Sequence, residues 1–128
     1  MIITLKGTVS SGRGEGTWFT NLQWVKEQLR RELNIDLYPG TLNLNISSAC
    51  NEVKLLNRFG GIEIRPEKGF YGGRCFRALI MGETHGAVIK PEILHYPTDL
   101  IEVIAPIHLR EKFRLKDGDE VEVTIWLE

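Results

Sequence analysis

Residues 38–46 read Tyr38-Pro39-Gly40-Thr41-Leu42-Asn43-Leu44-Asn45-Ile46. The Pro-Gly pair is typical of a turn, and apolar and polar residues alternate strictly from the threonine onward. Because successive side chains of a strand point to opposite faces, this alternation predicts a half-buried strand. We expect its leucines and isoleucine to face a core, and its threonine and asparagines to face solvent or a cleft.

The rest of the chain is also dominated by strand patterns. Further strands are predicted at residues 2–10, 76–81, 86–90, 100–104 and 120–127, the second and third forming a hairpin about Glu83-Thr84. Between residues 51 and 74, two Gly-Gly pairs and a proline favour short strands joined by turns.

Two helices interrupt the strands. Apolar residues at positions 22, 25, 29 and 33 predict an amphipathic helix over residues 21–33, capped by Asn21 and beginning several residues after Gly16. A short helix is predicted over residues 107–113, with Pro106 near its first position. The sequence therefore predicts one mainly β domain over residues 1–128, a small barrel with a helical insertion and a short C-terminal helix.

Composition excludes several classes of protein. The 128 residues carry a net charge of −1, with 42% apolar and 26% charged residues, which is ordinary for a globular domain. No apolar run approaches the roughly 20 residues that span a bilayer, and no signal peptide is evident. We therefore expect a cytoplasmic monomer with no membrane contact and no broad affinity for nucleic acid.

A glycine-rich run, Ser11-Gly12-Arg13-Gly14-Glu15-Gly16, follows the first predicted strand. Its backbone N–H groups carry little side-chain bulk and suit phosphate oxygens, and its arginine suits phosphate as well. The glutamate repels phosphate unless it faces away to brace the loop or to accept from a sugar or base. The run is not a Walker loop, since no Gly-Lys-Ser/Thr follows. A tight irregular turn without a ligand is the alternative.

Thr41 and Asn43 are two residues apart on the predicted strand, so their oxygens share one face. Neutral hard oxygens suit a magnesium ion that takes its other ligands from phosphates and water. Together with the glycine-rich run, they predict a nucleoside triphosphate and its metal. Each alone is also compatible with an ordinary solvent-facing strand residue.

Glu102 is the one acid in an otherwise apolar strand, and an acid in such a place usually has a specific role. A structural pairing with an arginine such as Arg110 is the alternative. The three histidines have no metal-ligand spacing, and we interpret them as surface or loop residues. Trp18 follows the glycine-rich run closely enough to line a pocket, although core or rim packing also explains it.

Taken in order, five blocks of the sequence resemble the archaeal CTP-dependent riboflavin kinases. The blocks are Gly7-Thr8-Val9, Ser11-Gly12-Arg13-Gly14-Glu15-Gly16, Tyr38-Pro39-Gly40-Thr41-Leu42-Asn43-Leu44, Ile101-Glu102-Val103-Ile104-Ala105-Pro106-Ile107-His108-Leu109-Arg110 and Leu115-Lys116-Asp117-Gly118-Asp119. The resemblance runs nearly end to end and is weakest over residues 47–71.

The resemblance implies a six-stranded cradle-loop barrel, related to translation-factor-type barrels, that transfers the γ-phosphoryl of CTP to the 5′-hydroxyl of riboflavin. The products are FMN and CDP. Some members carry an N-terminal winged-helix domain, for which these 128 residues leave no room, so transcriptional regulation is not expected.

The resemblance also implies roles for individual residues. Thr41 and Asn43 would hold Mg²⁺, and Thr98 and Glu102 would hold the flavin. The nucleotide would be bound by Arg13, Gly14, Glu15, Gly16, Thr17, Trp18, Ile107, His108, Leu109 and Arg110. No residue is identified as the general base. A barrel-type DNA-binding or transcription-regulator module and a non-catalytic flavin-binding protein are the alternative functions.

Overall fold

In a computed structural model of the chain, residues 1–12, 16–47, 50–58 and 60–128 are described. Within these residues the chain forms seven strands and four helices. In chain order they are β1 (Ile2–Ser10), α1 (Gly16–Thr20), α2 (Gln23–Leu33), β2 (Leu42–Asn45), α3 (Asn51–Arg58), β3 (Ile62–Ile64), β4 (Gly73–Ile80), β5 (Thr84–Pro91), β6 (Leu100–Ile104), α4 (Leu109–Lys112) and β7 (Glu120–Trp126).

Six of the strands close into an antiparallel barrel in the order β4-β5-β6-β2-β1-β7, and β7 pairs back onto β4. The predicted six-stranded barrel is confirmed. The short β3 pairs with β4 outside this ring, as a seventh strand. Closure leaves the six ring strands without a free edge, so their backbone groups are paired within the chain.

The first strand alternates more regularly than its sequence suggests. Residues 3, 5, 7 and 9 are buried and their neighbours are exposed or half-buried, with Gly7 at one of the buried positions. A Cβ atom at Gly7 would lie 2.7 Å from the Cβ of Leu44 on β2. Glycine stands there because β1 and β2 approach closely, and its lack of a side chain hides the alternation from a hydropathy pattern.

The strand β6 is buried on both faces, which explains its continuous apolar sequence. Ile101 and Val103 belong to the core inside the barrel, whereas Ile104 packs in a second cluster with Leu29 of α2. Since side chains alternate along a strand, Glu102 lies on the outer face with Ile104. An acid on this face is the feature that positions the candidate site.

The first three helices differ from the prediction. Residues 51–58 form α3 rather than strands, because Val53 and Leu56, one turn apart, bury themselves against the barrel core. The helix α1 begins directly on Gly16, and α2 follows Leu22 as its N-cap, so Asn21 is a turn residue and not the cap. None of the described helices is long and apolar enough to cross a bilayer.

The C-terminal helix α4 is shorter than predicted. It spans Leu109–Lys112 with His108 as its N-cap, so Pro106 precedes the helix and does not occupy its first position. The predicted hairpin is present, since Ile80 pairs with Thr84 across the turn between β4 and β5.

Candidate functional site

Glu102 is the centre of the site and is only 1% exposed. The backbone N–H of Gly16 donates to both of its carboxylate oxygens, at 2.9 and 3.0 Å. The Thr41 hydroxyl donates to Oε1 at 3.0 Å, and the Tyr96 hydroxyl donates to Oε2 at 2.5 Å. A buried carboxylate requires such donors, because burial without them costs several kcal/mol, about 1–3 or more for each lost partner.

Gly16 is held against this carboxylate too closely for any side chain. A Cβ atom built on it would lie 2.5 Å from Oε1 and 2.6 Å from Cδ of Glu102. The Thr20 hydroxyl donates to the Gly16 carbonyl at 2.7 Å and fixes the single turn of α1. The last glycine of the glycine-rich run therefore anchors the run to Glu102.

Thr41 and Asn43 converge as the alternation predicted. The strands β2 and β6 place Asn43 directly opposite Glu102, and the Thr41 hydroxyl lies 2.9 Å from Asn43 Oδ1. A hydroxyl has one proton, so Thr41 shares it between Asn43 Oδ1 and Glu102 Oε1 and keeps its lone pairs for another partner. Asn43 is 8% exposed, so this polar position is buried and does not face solvent.

These oxygens fit a small hard cation. A threonine hydroxyl and an asparagine amide oxygen are donors that Mg²⁺ accepts when substrate phosphates complete its shell. Across the described ranges, no group of three or more His, Cys, Asp or Glu side chains is placed to hold a metal ion. A cation here would therefore depend on neutral oxygens together with the phosphates of a ligand.

A first cavity of about 210 Å³ opens beside Thr41. Its walls bring together segments that are distant in sequence, namely Thr17 of α1, the turn at Pro39-Gly40 and residues 107–110. His108 and Tyr38 stack at the wall, with ring centroids 4.9 Å apart and planes inclined by 9°. His108 is therefore a cavity-lining residue as well as a loop residue.

Five of the ten residues predicted to bind the nucleotide, Thr17 and residues 107–110, line this first cavity. Gly16 contacts Glu102 at its edge. Trp18 lies instead in an adjoining cavity that shares Thr17 and Gly40, where it is 49% exposed and stacks on Phe70 at 6.4 Å. Arg13, Gly14 and Glu15 lie outside the described residues.

A second cavity of about 410 Å³ is separate from the first and shares none of its lining residues. Tyr96 lines it and donates to Glu102, so this tyrosine connects the second cavity to the carboxylate. Thr98 lines the same cavity with an exposed side chain. The two residues predicted to hold the flavin are thus linked through Tyr96, to which the sequence analysis assigned no role.

Arg110 pairs with Asp117 and not with Glu102. Its guanidinium donates to Asp117 Oδ1 and to the Ser11 hydroxyl, each at 2.9 Å, and to the Ser10 carbonyl at 3.1 Å. Hydrogen bonds from Arg110 and then Ser11 hold the pKa of Asp117 below its ordinary value. Arg110 therefore joins α4 to the start of the glycine-rich run.

Comparison with known proteins agrees with this geometry. A family model labelled CTP-dependent riboflavin kinase, and described as domain of unknown function DUF120, matches residues 9–125. The chain is 39% identical to a riboflavin kinase of Methanosarcina barkeri, covering 97% of this chain and 57% of the relative. It is 40% identical to the riboflavin kinase of Archaeoglobus fulgidus and 41% identical to that of Pyrobaculum aerophilum, in each case over 98% of this chain. These alignments cover 55% and 61% of the two relatives, so the chain spans little more than half the length of the proteins it matches.

Proposed function

This chain belongs to the CTP-dependent riboflavin kinase family, and from that premise we propose that it transfers the γ-phosphoryl group of CTP to the 5′-hydroxyl of riboflavin, giving FMN and CDP. One observation carries the proposal. The buried carboxylate of Glu102 is hydrogen-bonded to Thr41 at the first cavity and to Tyr96 at the second. A phosphoryl donor and an alcohol acceptor need such adjoining compartments.

The first cavity is the donor side in this proposal. Thr41 and Asn43 would hold Mg²⁺, which would neutralise charge on the phosphates of CTP. Arg110 lines the same cavity as Thr41 and suits the phosphates, and the Gly16 end of the glycine-rich run shares the contact of Thr41 with Glu102. The stacked pair of Tyr38 and His108 offers a flat surface to a nucleoside.

The second cavity is the acceptor side. The flavin ring would lie there beside Thr98, with the ribityl chain directed past Tyr96 toward Glu102. Gly16, Thr41 and Tyr96 donate hydrogen bonds to the Glu102 carboxylate and fix its position. In this proposal the carboxylate accepts a hydrogen bond from a ribityl hydroxyl. Glu102 thus orients the attacking alcohol beside the phosphate-binding oxygens.

Positioning of this kind accounts for most of what phosphoryl transfer asks of a protein. The transition state is loose, so charge stabilisation and alignment matter more than proton removal. Because Gly16 and Thr41 hold Glu102 in place before substrates arrive, little reorganisation is needed during the reaction.

The proposal is tested by incubating the protein and Mg²⁺ with riboflavin and each of the four nucleoside triphosphates, with FMN measured by chromatography. We expect FMN and an equal amount of CDP with CTP, and loss of both when EDTA removes the cation. Binding of riboflavin without FMN formation would identify a flavin-binding protein without kinase activity. Equal rates with all four nucleotides would contradict the dependence on CTP.

A milder prediction concerns Asp117, which holds Arg110 at the donor side. Asp117→Asn should raise KM for CTP about two- to five-fold with little change in kcat, because an exposed ion pair makes only a small contribution. Asp36→Asn is the matched control, since Asp36 forms an exposed pair with Arg30 at 2.6 Å away from both cavities. Steady-state kinetics of both variants measure the difference.

The pH dependence of this pair has a definite sign. Since the pKa of Asp117 is lowered in the folded protein, its contribution is complete above the ordinary aspartate value of about 3.9. It is lost only as the pH falls through the lower, folded-state value. The ratio of KM between wild type and Asp117→Asn should therefore stay constant from about pH 5 to pH 8. A ratio that changes across this range would contradict the assignment.

A further inference from the structure

The wall of the second cavity contains three cationic residues, Arg58 of α3 and two residues of the barrel strands. Arg74 on β4 and Lys90 on β5 are directly opposite each other in the strand register, and both line this cavity. Like charges at opposed positions destabilise a sheet. Arg74 is compensated by Glu92 at 3.6 Å and by the Gly60 carbonyl at 3.1 Å.

Lys90 is held in a different way. Its ammonium donates to Asn57 Oδ1 at 2.6 Å and lies 5.7 Å from the centre of the Tyr96 ring. Both partners are neutral. The side chain is half-buried, and burial lowers the pKa of Lys90. The fold therefore desolvates an ammonium group in a cavity wall and compensates it with an amide oxygen and a ring face.

Both members of the Lys90–Asn57 pair have unused hydrogen-bonding capacity. An ammonium has three N–H groups and an amide oxygen has two lone pairs, and their mutual bond uses one of each. A hydrogen-bond donor and an acceptor thus stand 2.6 Å apart in the wall. Such a pair complements a ligand edge on which a carbonyl oxygen and an N–H group are adjacent.

The flavin ring has such an edge, since its imide presents carbonyl, N3–H and carbonyl in sequence. Resting on the proposed function, we propose that Lys90 and Asn57 recognise the imide edge of riboflavin in the second cavity. Lys90 donates to an imide carbonyl oxygen, and Asn57 accepts from N3–H. The two residues select the substrate and take no part in the phosphoryl transfer itself.

The test compares riboflavin with 3-methylriboflavin, which lacks the N3–H donor, by quenching of flavin fluorescence. The wild-type protein should bind riboflavin at least about ten-fold more tightly than the methylated analogue, because the analogue would cover the Asn57 acceptor without giving it a hydrogen-bond donor. Asn57→Ala should bind the two flavins with affinities within about two-fold of each other, since its acceptor is gone.

Lys90→Met should weaken riboflavin binding about ten-fold or more, as expected for loss of a hydrogen bond from a charged donor. Its KM for CTP should equal that of wild type. Lys54→Met is the matched control, because Lys54 is an exposed lysine on the same helix as Asn57, and this variant should bind both flavins like wild type. Thermal unfolding of each variant checks the fold.

The outcomes separate this inference from the proposed function. Two outcomes would overturn the proposed recognition of the imide and leave the proposed kinase activity intact. In the first, wild type forms FMN but binds both flavins with equal affinity. In the second, Lys90→Met binds riboflavin as tightly as Lys54→Met does. If Lys90→Met instead weakens the binding of CDP, the second cavity binds phosphate and the inference is overturned. If wild type forms no FMN, the proposed function fails, and this inference fails with it. The comparison of riboflavin with 3-methylriboflavin uses the wild-type protein. It therefore tests the inference even if one of the variants does not fold.

Discussion

Thr41→Val is expected to lower kcat for FMN formation by about 10²–10³-fold, the usual loss when one fixed group that stabilises transferring charge is removed. Valine keeps the shape of the side chain and removes the hydroxyl, which lies 2.9 Å from Asn43 Oδ1 and 3.0 Å from Glu102 Oε1. The variant loses one predicted cation ligand and one donor to the buried carboxylate. Asn43→Ala should cause a loss of similar size.

The matched control for this prediction is Thr4→Val. Thr4 is an exposed strand residue whose hydroxyl lies 3.2 Å from that of Thr124, away from both cavities. Binding of Mn²⁺ in the presence of CDP, followed by electron paramagnetic resonance, separates a metal role from a packing role. Wild type and Thr4→Val should bind the ion alike, and Thr41→Val should bind it more weakly. Full activity in both Thr41→Val and Asn43→Ala would remove the metal assignment.

Gly16→Ala is expected to reduce kcat/KM for riboflavin by about 10²-fold, which corresponds to about 2.7 kcal/mol of lost transition-state stabilisation. The added methyl group would lie 2.5 Å from Glu102 Oε1, inside any allowed contact distance. Either the carboxylate rotates away from Thr41 and Tyr96, or α1 moves away from the strand. Both changes separate the donor side from the acceptor side.

Gly7→Ala controls for general crowding. Its Cβ would lie 2.7 Å from the Cβ of Leu44, inside the barrel and away from Glu102. Overpacking of this kind costs about 1–3 kcal/mol of stability, so we expect a lower Tm with kcat nearly unchanged. Steady-state kinetics and thermal unfolding are measured on both variants below their transitions. An equal loss of activity in the two variants would show that stability, and not the Glu102 contact, explains Gly16→Ala.

Local patterns were sufficient to predict the strands of this fold. The alternation of residues 41–46 predicts β2, and the closing alternation predicts β7. The burial of the polar residue Asn43 was not predicted from this alternation. The alternation of apolar and polar residues is not visible in the sequence of β1, because one of its buried positions is a glycine. The close approach of Leu44 requires that glycine at position 7. Such an approach is a tertiary contact, which a single strand pattern does not contain.

The helices that were missed are short and depend on tertiary packing. Only two buried side chains, Val53 and Leu56, hold α3 to the barrel, and the surrounding Gly-Gly pairs favoured turns. The helix α1 has five residues, and its start is fixed by the contact of Gly16 with Glu102. Helices of this length have little intrinsic stability, so propensity alone does not reveal them.

The candidate site was predicted in part from chemistry and in part from resemblance. The shared face of Thr41 and Asn43 follows from the strand period, and their proximity in the structure agrees with it. Thr17 and residues 107–110 line the first cavity together although they are about 90 residues apart in the sequence. Only the family resemblance indicated that these residues share a site. Tyr96 had no local signal, because its role depends on where the loop before β6 crosses Glu102.

The most direct test of the account is a crystal structure of the protein with CDP, Mg²⁺ and FMN bound together. We expect the cation about 2.0–2.1 Å from Thr41 Oγ1 and Asn43 Oδ1, the spacing that Mg²⁺ requires. The CDP phosphates should occupy the first cavity and the flavin ring the second, with the FMN ribityl chain beside Glu102. A cation bound elsewhere, or both ligands in one cavity with Glu102 contacting neither, would contradict the account.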